Sequence, residues 1–556
     1  MNKEEIRNIV LQNAVKFDGR ANQGTVIGHI ISHNPEAKKD IKEIAQLVGE
    51  TIKEVSKLSV EEQKAELEKN APDLLKEKKH EKKEGLKDLP NATKGKVVMR
   101  FAPSPSGPMH IGHAYGISLS SEYCRKYDGK LIFRIEDTNP DNIYPPAYDL
   151  LADDAQWITK DNVTEILIQS ERMELYYKYA EKLFEKNALY VCTCDSERAK
   201  ILRDDKKACP CRDLAKEEQL VRWKKMFDEY KSGDAVVRVK TEIDHKNPAM
   251  RDFPIFRINE SEHPRQGKKF KVWPLMNIAV SVDDIESGMT HIIRAKEHAD
   301  NAKRQKYIYD YLEKPFPETL FVGRINFEGM PVSCSKTKVA IEEGKYSDWD
   351  DIRLPFLLAL RRRGFQPEAF IKYAVEVGVS LTDKTVSKED FFKSINAFNR
   401  EVIDKVANRY FFIENPKKMK MEDVPFDAKH VEIELHPDKK ELGNRKLIAG
   451  DEFYIQDELV DGKRYRLMHL FNFENSRFIS EKIDESIKAQ MIHWLPVCSD
   501  LVDVEVLMED NKVRKGLGEP DLKNVKIGDI IQFERFGFCR LDSIENKVYR
   551  FWFTHK

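Results

Sequence analysis

Three groups of residues are of types, and at spacings, that could do chemistry. The first is Pro108-Met-His110-Ile-Gly-His113, reached from Arg100 through Phe-Ala102-Pro103-Ser104-Pro-Ser-Gly107. Histidines three apart can face one side of a helix as it opens. Ring N–H donors beside the first peptide N–H groups of a helix suit a phosphate and developing negative charge. Gly107 and Gly112 lack a Cβ and would let backbone approach a ligand closely. The competing reading is a Pro-rich turn with two incidental histidines. The second group is Ser333-Cys-Ser335-Lys336-Thr-Lys338. A lysine on a mobile loop could reach a triphosphate and stabilise pyrophosphate as it leaves. Lys336 is the first choice and Lys338 the alternative, against a solvated surface run. The third is Cys192-Thr-Cys194, fourteen residues, then Cys209-Pro-Cys211. Four thiolates in two close pairs suit tetrahedral Zn²⁺ with no position open for water, hence a structural ion. Free buried thiols are the competing reading, and disulfides suit a reducing compartment poorly.

The elements that must position these groups are legible from periodicity. Val97-Val-Met-Arg-Phe is a short apolar run, the segment from Gly112 to Tyr127 is helix-like, and Lys130-Leu-Ile-Phe-Arg-Ile is a second run. Strand, loop, helix and strand in so few residues predict a right-handed parallel crossover, and so a Rossmann-like sheet starting at Lys96. The ligand crevice of such a sheet lies at the carboxyl ends of its strands. Two amphipathic stretches within residues 3 to 70, IRNIVLQNAVKF and DIKEIAQLVGETIKEV, predict helices that pack stripe on stripe. Turn residues FDGRANQG and the helix-starting HNPEAKKD lie between them. After about Thr382, a helical stretch over 387–408 leads into alternating runs that predict antiparallel strands in one or two β-barrels.

Six segments result. They are a helical N-terminal domain over 1–75, a charged linker over 76–95, the first half of the sheet domain over 96–190, a zinc-binding insertion over 191–270, the second half of the sheet domain over 271–382, and a β-barrel region over 383–556. The linker has too little apolar content to join a core. Its interleaved acids favour a solvated spacer over a basic arm on RNA. The fold class expected is multidomain α/β, with a Rossmann-like parallel-sheet catalytic domain carrying a zinc-binding insertion, a helical N-terminal extension and C-terminal antiparallel β-barrels.

With 556 residues, 41% hydrophobic and 34% charged, the chain is expected to fold as several soluble globular domains. A formal net charge of -1 excludes a globally basic nucleic-acid binder, so any RNA site must be local. The amphipathic, acid-containing start and the lack of a run of ~18 apolar residues point to a cytoplasmic address and no membrane partner.

The stretch from Arg100 to His113 resembles the HIGH signature of class I aminoacyl-tRNA synthetases, and its Arg-Phe-Ala-Pro-Ser-Pro-Ser-Gly start is similar to the glutamyl and glutaminyl branch. Ser333 to Thr337 resembles a degenerate KMSKS loop whose first two positions, Ser333 and Cys334, depart from the consensus. Trp349-Asp-Asp-Ile-Arg-Leu-Pro and Arg361-Arg-Arg363-Gly resemble the archaeal and eukaryotic glutamyl type, and the similarity spans about Val97 to Lys556.

The resemblance implies ATP-dependent ligation of L-glutamate to transfer RNA through a glutamyl-adenylate. It implies catalytic roles for His110, His113 and Lys336. ATP would be held by Pro103, Gly112, His110, His113, Ser335 and Lys336, with Mg²⁺ accompanying the nucleotide. Arg100, Ala102, Ser104, Glu136, Met276 and Arg294 would hold glutamate, with Glu136 on its ammonium group and Arg100 on a carboxylate. Arg294 is the discriminating residue. The glutamyl branch has an arginine there, and a guanidinium would leave the amide of glutamine facing donors only. Met276 stands where the family commonly has tyrosine, so a pocket hydroxyl is missing, and Asn277 or a water could replace it. Zinc at Cys192, Cys194, Cys209 and Cys211 matches a module seen in many relatives.

Partners implied are glutamate transfer RNA, with glutamine transfer RNA left open, and an unidentified protein for the N-terminal helices. The three arginines at 361–363 could meet phosphate or simply complement a helix end. Arg535, Phe536, Phe538 and Arg540 could stack on anticodon bases, though strand alternation must bury about half of them. The rivals are a glutaminyl-tRNA synthetase, opposed by Arg294, a small-molecule nucleotidyltransferase, for which the β-rich tail is superfluous, and an inactive RNA-binding scaffold.

Overall fold

The computed structural model describes residues 3–17, 19–33, 40–71, 74, 85–483 and 488–556. The chain forms two compact units, Met1–Glu84 and Gly85–Lys556. The expected pair of N-terminal helical stretches becomes four helices, Lys3–Lys16, Gln23–His33, Ile41–Val55 and Val60–Asn70. Their apolar stripes meet in a core of Ile6, Val10, Leu11, Val26, Ile30, Val48 and Leu67. The last helix starts with a reciprocal cap, in which Glu62 N–H donates to Ser59 Oγ at 3.2 Å and Ser59 N–H to the Glu62 carboxylate at 2.8 Å. Asp18 of the first expected turn, most of the HNPEAKKD segment and the linker over 76–84 lie outside the described residues. The rest of the linker, 85–95, is described and carries neither helix nor strand.

In the larger unit β1 (Val98–Phe101), β2 (Lys130–Ile135) and β3 (Val163–Ile168) are parallel, with Val98 opposite Lys130. The crossover between β1 and β2 is the helix Ile111–Lys126. An antiparallel insertion follows, made of β4 (Leu189–Cys192), β5 (Val236–Val239), β6 (Pro254–Ile258) and β7 (Val272–Pro274). The chain then resumes the parallel direction in β8 (His291–Ala295) and β9 (Glu318–Val322). β8 lies beside β1, because Thr290 N–H donates to the Val98 carbonyl at 3.0 Å and Val98 N–H to Thr290 Oγ1 at 2.9 Å. β8 and β9 form a two-stranded sheet of their own that adjoins β1 of the three-stranded one, so the spatial order is β9-β8-β1-β2-β3, and the chain order changes sense between β1 and β8, where a doubly wound sheet opens its crevice.

Met99, Ile117, Phe133, Leu151 and Ile158 form the centre of the core under this sheet. β10 (Ile325–Glu328) and β11 (Lys384–Ser387) make a further parallel pair, and the helix Lys388–Ile403 leads to the C-terminal β region. That region has two cores. Phe411 enters one and Phe412 the other, as successive residues of an extended chain must. Its pairings are mostly antiparallel, with three exceptions, one of them Arg464–Leu467 beside Gln490–Ile492 and two in the seven-stranded sheet. Arg409–Tyr410 runs parallel to Ile530–Phe533, and Val502–Leu507 parallel to Val548–His555. The partner strands are far apart in sequence, so no hairpin constrains their direction. Among the described residues no helix is long and apolar enough to cross a membrane.

Phe133 is fully buried in the sheet core. Phe133→Ala is expected to destabilise the larger unit by ~3–5 kcal/mol, measured by denaturant unfolding, and a loss below ~1 kcal/mol would contradict this packing.

Candidate active site

The turn after β1 is pinned on both sides. Met109 N–H donates to buried Asp154 at 3.0 Å, Ile111 N–H to the Pro355 carbonyl at 3.1 Å, and Leu357 N–H to the Met109 carbonyl at 2.8 Å. His110 caps the helix Ile111–Lys126 by accepting Gly112 N–H on Nδ1 at 3.1 Å, and His113 Nδ1 accepts the backbone N–H of His110 at 3.3 Å. The two rings stack, with centroids 3.9 Å apart and planes at 22°. Because each Nδ1 accepts a hydrogen bond, the proton of each neutral imidazole belongs on Nε2, which is the donor left for a ligand. Burial pushes His113 down to about 4, and burial with the neighbouring ring pushes His110 well below its ordinary value. The pair expected on one side of the helix is thus together, and it offers two neutral donors, not two cations.

The glycines also have a reason within the protein itself. A Cβ on Gly112 would stand 2.9 Å from His110 Cε1, and one on Gly107 would stand 3.0 Å from Trp349 and 3.1 Å from Cys334 Cβ. Both make room for protein side chains. The contact at Gly107 also brings the second lysine-bearing segment to the first, since the Cys334 thiol is 3.7 Å from the Pro108 carbonyl. Cys334, given no role from sequence, is the residue that docks the two motifs. Lys336 is exposed in the first turn of the helix Cys334–Glu342, where a loop was expected, and Ser335 is exposed beside it. Lys338 lies 3.9 Å from Glu342 and over the Tyr144 ring, which leaves Lys336 as the lysine without an ion pair among the described residues.

The charged cluster is built from strand ends. Arg100 on β1 donates Nε to Asp284 Oδ1 at 2.9 Å. Arg134 on β2 is fully buried and bridges two acids, giving Nη1 to Asp284 at 2.6 Å and Nη2 to Glu136 at 3.0 Å. Glu136, one strand repeat beyond Arg134, remains partly exposed, and its N–H holds the Pro103 carbonyl at 2.9 Å. Ala102 is half-buried, Pro103 buried and Ser104 exposed on the turn between. Burial would raise the carboxyl of Asp284, but Arg100 and Arg134 overcome it and hold that group low. The same acids raise Arg134 against its burial.

Sequence reasoning missed Arg134 and Asp284. The alternation in Phe-Arg-Ile-Glu and the paired aspartates at 283–284 were the available signals.

Arg294 on β8 is half-buried, and its Nη1 donates to Gln305 Oε1 at 2.9 Å. No carboxylate lies within ion-pair distance of it among the described residues. Burial and the nearby Arg100 charge lower it to about 10, while Asp284 and Glu136 act in the opposite sense. With Asp283 3.8 Å from Arg134 and paired to Arg172, four guanidiniums face three carboxylates, and an unmatched, partly desolvated cation favours an anionic ligand. Met276 opens the helix Met276–Glu286 and is half-buried. Asn277 is buried and turned to the amides of Gln305 and Asn301, each 3.5 Å away, so it is committed within the protein.

In the insertion, the sulfurs of Cys192, Cys194, Cys209 and Cys211 all lie within 4.8 Å of one another, and no cysteine is in a disulfide. Ligands ~2.3 Å from a tetrahedral zinc stand ~3.8 Å apart, so the four thiols fit one ion. Arg222 donates to the Cys211 sulfur at 3.4 Å, a cation beside what would be a doubly negative thiolate set.

The residues expected to meet RNA are largely spoken for. Arg362 forks onto Asp542 at 2.8 and 2.6 Å and reaches Asp350 at 2.5 Å. Arg363 is buried against the carbonyls of Phe553 and Thr554. Arg361 alone of the three is exposed. Arg535 is bidentate to Asp457, Phe538 is buried, Phe536 packs on the second β core, and Arg540 donates to the Arg362 carbonyl. Of these four only Phe538 is fully buried, on the strand Gly537–Glu545, while Arg535 and Phe536 sit in the turn before it and Arg535 is exposed.

Residues 96–405 match the family described as "tRNA synthetases class I (E and Q), catalytic domain", and residues 407–493 and 491–542 match its two anti-codon binding domains. Among curated proteins, the chain is 42% identical to a glutamate–tRNA ligase of Methanococcus maripaludis and 44% identical to that of Methanocaldococcus jannaschii, covering 100% of both chains in each case. It is 45% identical to that of Pyrococcus furiosus over 98% of each.

Folding moves His113 from 6.5 to about 4, so its contribution to stability is complete above 6.5 and is lost as pH falls toward 4. His113→Asn is expected to flatten the decline of melting temperature across that window, and a decline as steep as that of the native chain would count against a buried neutral imidazole.

Proposed function

The chain belongs to the class I tRNA synthetase family for glutamate and glutamine, and we propose that its pocket activates L-glutamate with ATP and transfers it to glutamate transfer RNA. The observation that carries the choice of glutamate is Arg294, a half-buried guanidinium that lacks a carboxylate partner among the described residues. The negative side chain of glutamate completes the charge balance there. The neutral amide of glutamine would desolvate the cation and return less.

In this reading Glu136 receives the α-ammonium group and Arg100, with its Nη edge free of the Asp284 bond, receives a carboxylate. Ala102, Ser104 and Met276 line the same pocket. His110 and His113 turn their Nε2–H donors to the triphosphate, with Pro103 and Gly112 in the turn beneath it. The glutamate α-carboxylate attacks the α-phosphorus, the bond to the β-phosphate breaks, and pyrophosphate leaves against Lys336 and Ser335. The ribose hydroxyl of the terminal adenosine then attacks the acyl carbon, and AMP departs. Positioning and charge supply the rate, and no covalent enzyme intermediate is needed. Mg²⁺ accompanying the nucleotide neutralises phosphate charge when bound.

The four cysteines would hold a structural Zn²⁺ in the insertion, which then presents the acceptor end, and the C-terminal β domains read the anticodon. Eight cysteines outside disulfides suit the reducing cytoplasm. Binding of a protein partner is the role proposed for the N-terminal helical unit.

Charging assays with labelled glutamate and glutamine over both purified transfer RNAs test the specificity. Glutamate is expected on its own transfer RNA, the glutamine-specific transfer RNA reports whether that substrate is shared, and robust glutamine charging would overturn the assignment. Lys336→Ala is expected to lower kcat by about 10²-fold or more with little change in glutamate KM, and unchanged turnover would remove Lys336 from the mechanism. One zinc per chain is expected by metal analysis, falling sharply in Cys209→Ser, and zinc-free native protein would refute the four-thiolate site.

A further inference from the structure

An arginine that binds a substrate carboxylate must be held still without being neutralised, and the structure contains a device suited to both demands. Arg294 is not fixed by an acid. Its Nη1 donates to Gln305 Oε1 at 2.9 Å, and Gln305 is 2% exposed on the inward face of the helix Ala299–Tyr311. A guanidinium has only donors, so the orientation of this amide is unambiguous, with the carbonyl toward Arg294 and the NH₂ away from it. The NH₂ faces Asn277 Oδ1 at 3.5 Å, and Asn277 Nδ2 in turn faces Asn301 Oδ1 at 3.5 Å. Asn301 Oδ1 also accepts from Arg304 at 3.3 Å, and its Nδ2 meets His298 Nδ1 at 3.2 Å. The amides run head to tail in one sense, so each fixes the next.

We propose that Gln305, oriented by Asn277, is a positioning residue that aims the Arg294 guanidinium at the substrate carboxylate while leaving its full charge available. This rests on the reading of Arg294 as the glutamate-binding residue. A carboxylate at position 305 would hold the guanidinium as well or better. It would also cancel the charge and compete with the ligand for the same N–H groups. A neutral acceptor avoids that competition. Being buried, it also keeps water from taking its place when the ligand is absent. The role matches the absence of any acid within ion-pair distance of Arg294 among the described residues, beside Arg100 and Arg134 that are both paired with acids. It also accounts for the committed orientation of Asn277, which lies next to Met276 and is turned to Gln305.

The test compares Gln305→Met, which keeps the volume and removes the acceptor, with Gln305→Glu, which keeps the acceptor and adds charge. Steady-state charging is measured at saturating transfer RNA, and melting temperature monitors folding. Gln305→Met is expected to raise the glutamate KM about tenfold, the worth of one hydrogen bond to a charged group, with ATP KM and kcat within about twofold of native. Gln305→Glu is expected to raise the glutamate KM further and to narrow the preference for glutamate over glutamine. An unchanged glutamate KM in Gln305→Met, parallel rises for glutamate and ATP, or a fall in kcat alone would overturn the proposal. If Gln305→Met does not fold, an undiminished preference for glutamate in Gln305→Glu overturns it by itself. Arg294→Ala is measured alongside. If that variant keeps native glutamate KM, the underlying assignment of Arg294 fails. If it is impaired while the Gln305 variants are native, only the role of Gln305 fails.

Discussion

Everything at the mouth of the sheet hangs on Asp284. It lies on the helix Met276–Glu286, and its carboxylate joins that helix to β1 through Arg100 and to β2 through Arg134. Removing one member of such a buried cluster leaves an uncompensated charge, which costs far more than the intact cluster contributes. The cluster therefore acts as a geometric constraint. Arg134 spans Asp284 and Glu136, so the acid proposed for the ammonium group and the arginine proposed for a carboxylate are held in one frame. A second layer supports the first, with Asp283 receiving Arg172 and Gln169 at 2.8 Å each and Tyr176 at 3.0 Å.

The two ends of the proposed site use opposite electrostatics. Around Arg294 the pocket carries more cations than anions, and burial accentuates the imbalance. Around His110 and His113 burial keeps the stacked imidazoles neutral, which spares the turn a mutual repulsion and leaves two oriented donors. A polyphosphate arriving with its own cation needs donors more than further fixed charge, whereas a lone carboxylate is best met by a guanidinium.

Assembly across long sequence separations completes the site. Cys334 reaches the Pro108 carbonyl, Arg362 joins the helix Leu357–Arg363 to Asp542 in the last β domain, and Arg363 is buried against Phe553 and Thr554. Two of the three arginines that look like an RNA-binding cluster, Arg362 and Arg363, are therefore joints between the sheet domain and the β region, while Arg361 stays exposed. A run of cations is the same string of letters whether it faces phosphate or a neighbouring domain, and only the fold separates the two.

What the sequence determined by itself is what depends on local order. Periodicity and turn residues marked β1, its helix and β2, the three-residue spacing of His110 and His113 put them on one side, and the twin C-x-C pairs announced a four-thiolate cluster. The match of motif to family likewise needed only the order of residues. What tertiary structure decided is pairing between distant residues: the bond from Arg294 to Gln305, the bridge from Arg134 to Asp284, the docking of Cys334 on the Gly107 turn, and the burial of Phe538. Such pairings are set by which faces meet once strands and helices pack, and a charge or an amide carries no local mark of the partner that it will find 150 residues away.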